Sequence, residues 1–254
     1  MFETLSGLFF AHVLADYVFQ TSKMAQSKDR VTTLLVHTLV VYLCAVVALG
    51  SIAWPIAVLA GLHMAIDALK AIWVKTRKDD GIKPYLTDQL THLVTLAAIA
   101  AFAPTLWADG VWTKDLASGG LINISAWAPK AMLLTAGILY TTRAGGFAVG
   151  KLMQPFITGA PKKSLPKGGM MIGLLERGLI FLMFLAGQPA GIGFLIAAKS
   201  VLRFDAASKN EKAEYVIIGT LASFSWAIAI AILTLAINNG LNGDPLLEIM
   251  AAKP

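Results

Sequence analysis

The segment Gly61-Leu-His-Met-Ala-Ile-Asp-Ala-Leu-Lys70 sets His63, Asp67 and Lys70 at i, i+4 and i+7. On an α-helix all three leave from one face. The same spacing recurs in His12 with Asp16 and in Asp88 with His92, and His37 completes the histidines of the chain. Imidazole and carboxylate are the ligands that zinc and other borderline divalent ions favour, and an i,i+4 pair lets one helix give two of them to one ion. Four histidines and three aspartates exceed the needs of a single zinc. The surplus suits a second metal, a general base, or carboxylates that orient the imidazoles. The competing reading is that these groups pair with one another or cap backbone between helices. No single pair has the tighter H-E-x-x-H signature. The expected assignment puts a divalent ion, zinc first and manganese or iron next, on His12, Asp16, His63, Asp67 and His92. His37 and Asp88 follow as catalytic groups, further ligands or orienting groups.

These residues sit on elements far more apolar than a soluble core requires. The chain has 254 residues, 57% hydrophobic and 14% charged, a composition that points to a polytopic membrane protein. Eight apolar runs are candidate spans: Leu5–Thr21, Val31–Gly50, Ile52–Val74, Pro84–Pro104, Pro129–Lys151, Gly169–Gly187, Ala190–Arg203 and Ala213–Asn238. Each is read as a helix, so the expected fold is an all-α membrane bundle forming one integral domain. Helices one to four (residues 1–104) carry the His/Asp set. An outer loop (105–128) leads to helices five to eight (129–238). Tight turns at Gly50-Ser51 and Gly187-Gln-Pro-Ala190 imply antiparallel hairpins. Nothing at the N-terminus reads as a cleavable signal, so the first run is expected to be retained. The lone Cys44 lies in an apolar run and reads as a small buried hydrophobe.

Basic residues follow every second span: Lys23, Lys28 and Arg30; Lys75, Arg77, Lys78 and Lys83; Lys151, Lys162, Lys163 and Lys167; Lys209 and Lys212. The positive-inside rule makes these loops cytoplasmic and sends both termini outward. The net charge of +6 is then a topological signal. No basic patch interleaved with aromatics suggests nucleic acid, and no Ser–His–Asp or Cys–His nucleophile arrangement is present. Trp107, Trp112 and Trp127 in the outer loop suit an interfacial aromatic belt. The stretch 162–167 suits anionic headgroups. On this map His12, Asp16, His37, His63, Asp67, Asp88 and His92 all fall within roughly 6–18 Å of the cytoplasmic helix ends, at about 1.5 Å rise per residue. Residues scattered through the sequence converge at one depth.

The second half repeats the pattern with other chemistry. Arg143, Glu176, Arg177, Lys199, Arg203 and Glu214 lie toward the same side. The cations suit a phosphate or carboxylate. They equally suit intramembrane pairs with Glu176 and Glu214, and Arg203 could simply snorkel to the interface. Lys70 is open between a site cation and a snorkelling lysine. Gln20 continues the His12–Asp16 face and serves either the site or the helix end.

A family resemblance covers nearly the whole chain. His12-x3-Asp16-x2-Phe19-Gln20, His37, His63-x3-Asp67-x2-Lys70 and Gln89-x2-His92 open it. Leu175-Glu-Arg, Ala198-Lys-Ser-x2-Arg-Phe204 and Ala213-Glu-Tyr-x3-Gly-Thr220 continue it. Together they resemble an uncharacterised family of bacterial inner-membrane proteins, a domain of unknown function. The intramembrane His/Asp pattern is also similar to that of membrane-bound metal-dependent hydrolases. The resemblance implies a multi-pass protein of the bacterial inner membrane and raises hydrolysis among the candidate activities. The leading expectation is a metal-dependent hydrolase. It takes an anionic, lipid-linked or phosphorylated substrate from the cytoplasmic leaflet. A proton- or metal-coupled transporter is the alternative, although charge is sparse in the outer half of the spans. A non-catalytic scaffold comes third.

Overall fold

The computed structural model describes residues 1–114, 124–156, 167–203 and 210–242, and the regular elements among them are all helical. In order they are α1 (Phe2–Leu14), α2 (Ser22–Gln26), α3 (Val31–Leu49), α4 (Trp54–Arg77), α5 (Ile82–Phe102) and α6 (Val111–Lys114). Then come α7 (Ile124–Leu139), α8 (Gly145–Met153), α9 (Gly168–Leu185), α10 (Gly191–Arg203) and α11 (Asn210–Asn242). All eight apolar runs are therefore helical. Four helices are long and apolar enough to cross a membrane: Val31–Leu49, Trp54–Arg77, Gly168–Leu185 and Glu214–Asn242. That is half the expected number of spans. α1 is shorter than a full crossing, α5 carries polar residues throughout its first half, and the fifth run is broken into separate helical pieces.

The chain divides into two compact units. One comprises Met1–Ala136 with Ala236–Pro254, the other Gly137–Leu235. In the first unit α1 packs on α3 and α5, and α4 packs on both α3 and α5. The α3–α4 hairpin turns at Gly50, whose φ of +62° is left-handed and whose N–H donates to the Val46 carbonyl. Any side chain there would be strained and would meet the Trp112 ring 2.6 Å away. Pro55 then occupies the first turn of α4, where its missing N–H leaves no helical bond unmade. Thr4 ties the start of α1 to the segment after α5 at the same end of the unit: its hydroxyl donates to the Pro104 carbonyl at 2.9 Å and accepts from the Trp107 N–H at 3.2 Å.

Burial in this unit is the inverse of a water-soluble helix. On α4, His63 and Asp67 are buried while Leu62, Leu69 and Ile72 face outward. On α3, His37 is buried while Leu35, Val36 and Leu39 are exposed, and on α5 Asp88, Gln89 and His92 are buried while Leu86, Leu90 and Val94 are not. Polar groups inside and an apolar mantle outside are what helices facing lipid require. Of the three tryptophans expected at an interface, Trp107 is buried in the core, with its backbone N–H bonded to Thr4, whereas Trp127 is exposed and Trp112 donates to the Val47 carbonyl.

In the second unit α9 packs on α8 and on a π-turn at Tyr140–Ala144, with α10 returning against α9. Ile180, Ile192, Phe224 and Ala227 form its apolar centre. The α9–α10 hairpin also turns on a left-handed glycine, Gly187 at φ +67°.

Candidate metal centre

Four helical segments of the first unit aim polar groups at one point. His12 comes from α1, His37 from α3, His63 and Asp67 from α4, and Asp88 and His92 from α5. Asp16 comes from a π-turn at Ala15–Phe19 that directly continues α1. A π-turn widens the helix by one residue and appears often at functional sites. Here it leaves His12 Nδ1 and Asp16 Oδ2 4.0 Å apart, and lets Asp16 reach across to α3 and α4 instead.

At the centre, four ligand atoms from three segments face one another. His37 Nε2 and His63 Nε2 are 3.2 Å apart. Asp16 Oδ1 lies 3.2 Å from the first and 3.3 Å from the second. Asp67 Oδ2 lies 3.5 and 3.6 Å from the same two nitrogens. Ligands held at about 2.0–2.2 Å around a tetrahedral ion are separated by roughly 3.3–3.6 Å. These five separations fall within a few tenths of an ångström of the ligand–ligand spacing around one such ion.

Around this core run further polar contacts. Lys28 Nζ donates to both Asp67 oxygens at 2.7 Å. Burial opposes the Lys28 charge, but the Asp67 and Asp16 carboxylates outweigh it and hold the ammonium above its ordinary pKa of 10.5. Lys70 Nζ donates to Asp88 Oδ2 at 2.8 Å, and the Gln89 amide donates to the same oxygen at 3.0 Å. The Gln20 amide sits 3.3 Å from His37 Nδ1 and 3.1 Å from Nε2. Partners of this kind orient metal-binding imidazoles and set their tautomers. Tyr17 and Tyr85 share a buried hydroxyl contact of 2.8 Å next to this network.

Charge and unmet hydrogen bonding both leave the cluster incomplete. Asp16, Asp67 and Asp88 face two ammonium groups, from Lys28 and Lys70. With neutral imidazoles one negative charge is uncompensated. Among the described residues, His12 Nδ1 and Nε2, Asp88 Oδ1 and His92 Nε2 are buried without a hydrogen-bond partner. Orphaned buried polar atoms are rare in folded proteins and costly. Three sets of these residues offer ligand atoms mutually within 4.8 Å: His12, Asp16 and His63; His37, His63 and Asp67; Asp67, Asp88 and His92.

The structure therefore gathers His12, Asp16, His37, His63, Asp67, Asp88 and His92 into one cluster, with Gln20, Lys70 and Gln89 against it. It sets His37 among the four central atoms rather than at the margin, and His12 and His92 beside them. Lys28 is the site residue that sequence reasoning missed. Its spacing does not distinguish it from Lys23 or Arg30, and only the fold shows that it reaches Asp67.

The second-half residues are arranged differently. Glu176 pairs with Lys199, whose Nζ donates to Oε2 at 2.6 Å. Arg177 turns away from Glu176. Its Nε and Nη2 donate to the Thr142 carbonyl at 3.2 and 2.9 Å, and its Nη1 donates to Ser223 Oγ at 3.1 Å. Thr142 lies in the second π-turn, and Gly145, Gly146 and Gly173 leave the space the guanidinium fills. Arg143 and Glu214 are exposed. Arg203 ends α10, and its side chain lies outside the described residues, as do residues 162–166 of the basic stretch and Lys209. The sequence expectation of a clamp formed by Arg177, Lys199 and Arg203 thus meets an arginine committed to backbone and a lysine committed to Glu176.

No curated protein and no solved structure matches the chain. The family match is narrower than the whole-chain resemblance and leaves the Glu/Arg/Lys motifs of the second half outside it. Residues 4–114, which contain every member of the His/Asp cluster, match the family described as Protein of unknown function (DUF3307).

Proposed function

We propose that this chain is a membrane-embedded, metal-dependent hydrolase. The observation that carries the reading is the set of His37 Nε2, His63 Nε2, Asp16 Oδ1 and Asp67 Oδ2, brought together at ligand–ligand spacing in a buried cluster with an excess of negative charge. A divalent ion there meets that spacing and turns the excess into one positive charge. When bound, such an ion lowers the pKa of a coordinated water and polarises an attacked oxygen. Lys28 and Gln20 hold Asp67 and His37 in the ligating orientation. Asp88, fixed at Oδ2 by Lys70 and Gln89, keeps Oδ1 buried without a hydrogen bond and available to the metal centre.

The topological part of the proposal is eight crossings of a bacterial inner membrane, with both termini outside and the cluster near the cytoplasmic face. It rests on the basic loops and on the apolar mantle around buried charge. A substrate reaching this depth from the cytoplasmic leaflet is anionic, lipid-linked or phosphorylated, because the site is cationic once an ion is bound. Elemental analysis of the full chain purified in detergent without chelators tests the reading. Wild type should carry zinc, manganese or iron near stoichiometry, and His63→Ala and Asp16→Asn should lose it. Metal-free wild type would refute the reading. The contact series Gln20, His37, His63 would then be examined as a proton relay in a transporter.

A further inference from the structure

Asp88 and His92 form a second point of unmet coordination beside the central four atoms. Lys70 and Gln89 both bind Asp88 Oδ2, leaving Oδ1 buried with no hydrogen bond and with His92 Nδ1 3.6 Å away. The His92 ring is oriented by its Nδ1, which lies 2.9 Å from the Asp88 carbonyl, and its Nε2 is buried and unpartnered. Asp88 and His92 are 5% and 2% exposed, so no solvent meets these atoms. Asp67 offers a ligand atom within 4.8 Å of both, and Asp67 Oδ2 is also one of the four central atoms. The His12 ring stacks on His92 with centroids 5.2 Å apart, and both of its nitrogens are also unpartnered.

Taking the metal reading above as given, we infer that the cluster is a two-ion centre in which Asp67 bridges. One cation sits on Asp16, His37, His63 and Asp67. The other sits on Asp67, Asp88 and His92, with His12 beside it. Two cations also define the ligand. Three carboxylates balanced by Lys28, Lys70 and two divalent ions leave a surplus of positive charge in a buried site, which a multiply charged anion must neutralise. Paired ions clamp tetrahedral oxyanions. The ligand class is a phosphate group, whether free or on a lipid.

The test uses the full chain in detergent micelles, stripped with chelator and reloaded with manganese or zinc. Wild type should take up two ions per chain. Asp88→Asn and His92→Gln should take up one, and Asp16→Asn should lose the ion on Asp16, His37, His63 and Asp67. One ion in wild type, retained in Asp88→Asn, overturns the two-ion centre while leaving the metal reading intact. No ion overturns both. The wild-type stoichiometry decides this even where a variant does not fold. Inorganic phosphate should then bind the loaded protein at least tenfold more tightly than the stripped protein, and equal binding overturns the phosphate assignment. Competition with a lipid phosphomonoester in mixed micelles identifies the source. Stronger competition by the lipid assigns a headgroup, and stronger competition by inorganic phosphate assigns a soluble ligand.

Discussion

Lys28→Met offers the sharpest probe of the charge balance in the cluster. Lys28 places its ammonium 2.7 Å from both oxygens of Asp67, and the two side chains are 12% and 1% exposed. Methionine keeps the apolar stem and removes the charge. Breaking a buried pair from one side costs about 3–5 kcal/mol, because the remaining charge is stranded. His37 and His63 Nε2 lie 3.5 and 3.6 Å from Asp67 Oδ2, so Asp67 keeps polar neighbours when the ammonium is gone. That puts the expected cost near the lower bound, about 3 kcal/mol. For a chain of this size such a loss lowers Tm by roughly 6–12 °C. On the proposed reading a divalent ion on His37, His63, Asp16 and Asp67 would neutralise Asp67 independently of Lys28, so saturating metal should shrink the gap between variant and wild type to about 1 kcal/mol or less. The assay is thermal unfolding in detergent, with chelator and with metal, on both proteins. Indistinguishable melting in chelator would show that the ion pair does not stabilise the fold. A large gap that metal leaves unchanged would refute the idea that the cluster is short of a cation.

Three further outcomes follow from the same geometry. The Lys28–Asp67 contribution is fully present below pH 10.5 and is lost as pH rises through the raised pKa of the ammonium. The wild-type minus Lys28→Met stability difference should thus be constant from pH 7 to about 10 and fall above that in chelated samples. Gly50→Ala combines a left-handed backbone with a Cβ 2.6 Å from the Trp112 ring, and should cost about 1–3 kcal/mol in a melting experiment. Arg177→Lys cannot reproduce the fork that spans the Thr142 carbonyl and Ser223. It should destabilise the protein by about 1–3 kcal/mol without altering its metal content. Loss of metal in Arg177→Lys would contradict the confinement of the candidate metal centre to the first unit.

Periodicity alone made much of the arrangement legible. The i,i+4 spacing of His12/Asp16, His63/Asp67 and Asp88/His92 on apolar helices marked the polar faces. The hairpins imply that those faces meet, and the structure gathers them in one cluster. A lipid-exposed helix cannot carry such groups outward, so the sequence by itself determined that they turn inward and that the elements are helices. It did not determine how many helices are long and apolar enough to cross a membrane, because α1, α5 and the π-broken fifth run have the composition of spans without the length or uniformity.

Which atoms meet was decided by tertiary structure. The π-turn after α1 breaks the 3.6-residue register on which the pairing of His12 with Asp16 relied, and hands Asp16 to His37 and His63. Lys28 lies outside every periodic element, so only the packing of α3 against α4 reveals its reach to Asp67. Arg177 was legible as a buried cation but not as a backbone ligand, since the carbonyl it binds belongs to a second π-turn. Helical spacing fixes the direction in which a side chain leaves its own helix. The partner it finds depends on the register between helices, and local sequence does not encode that register.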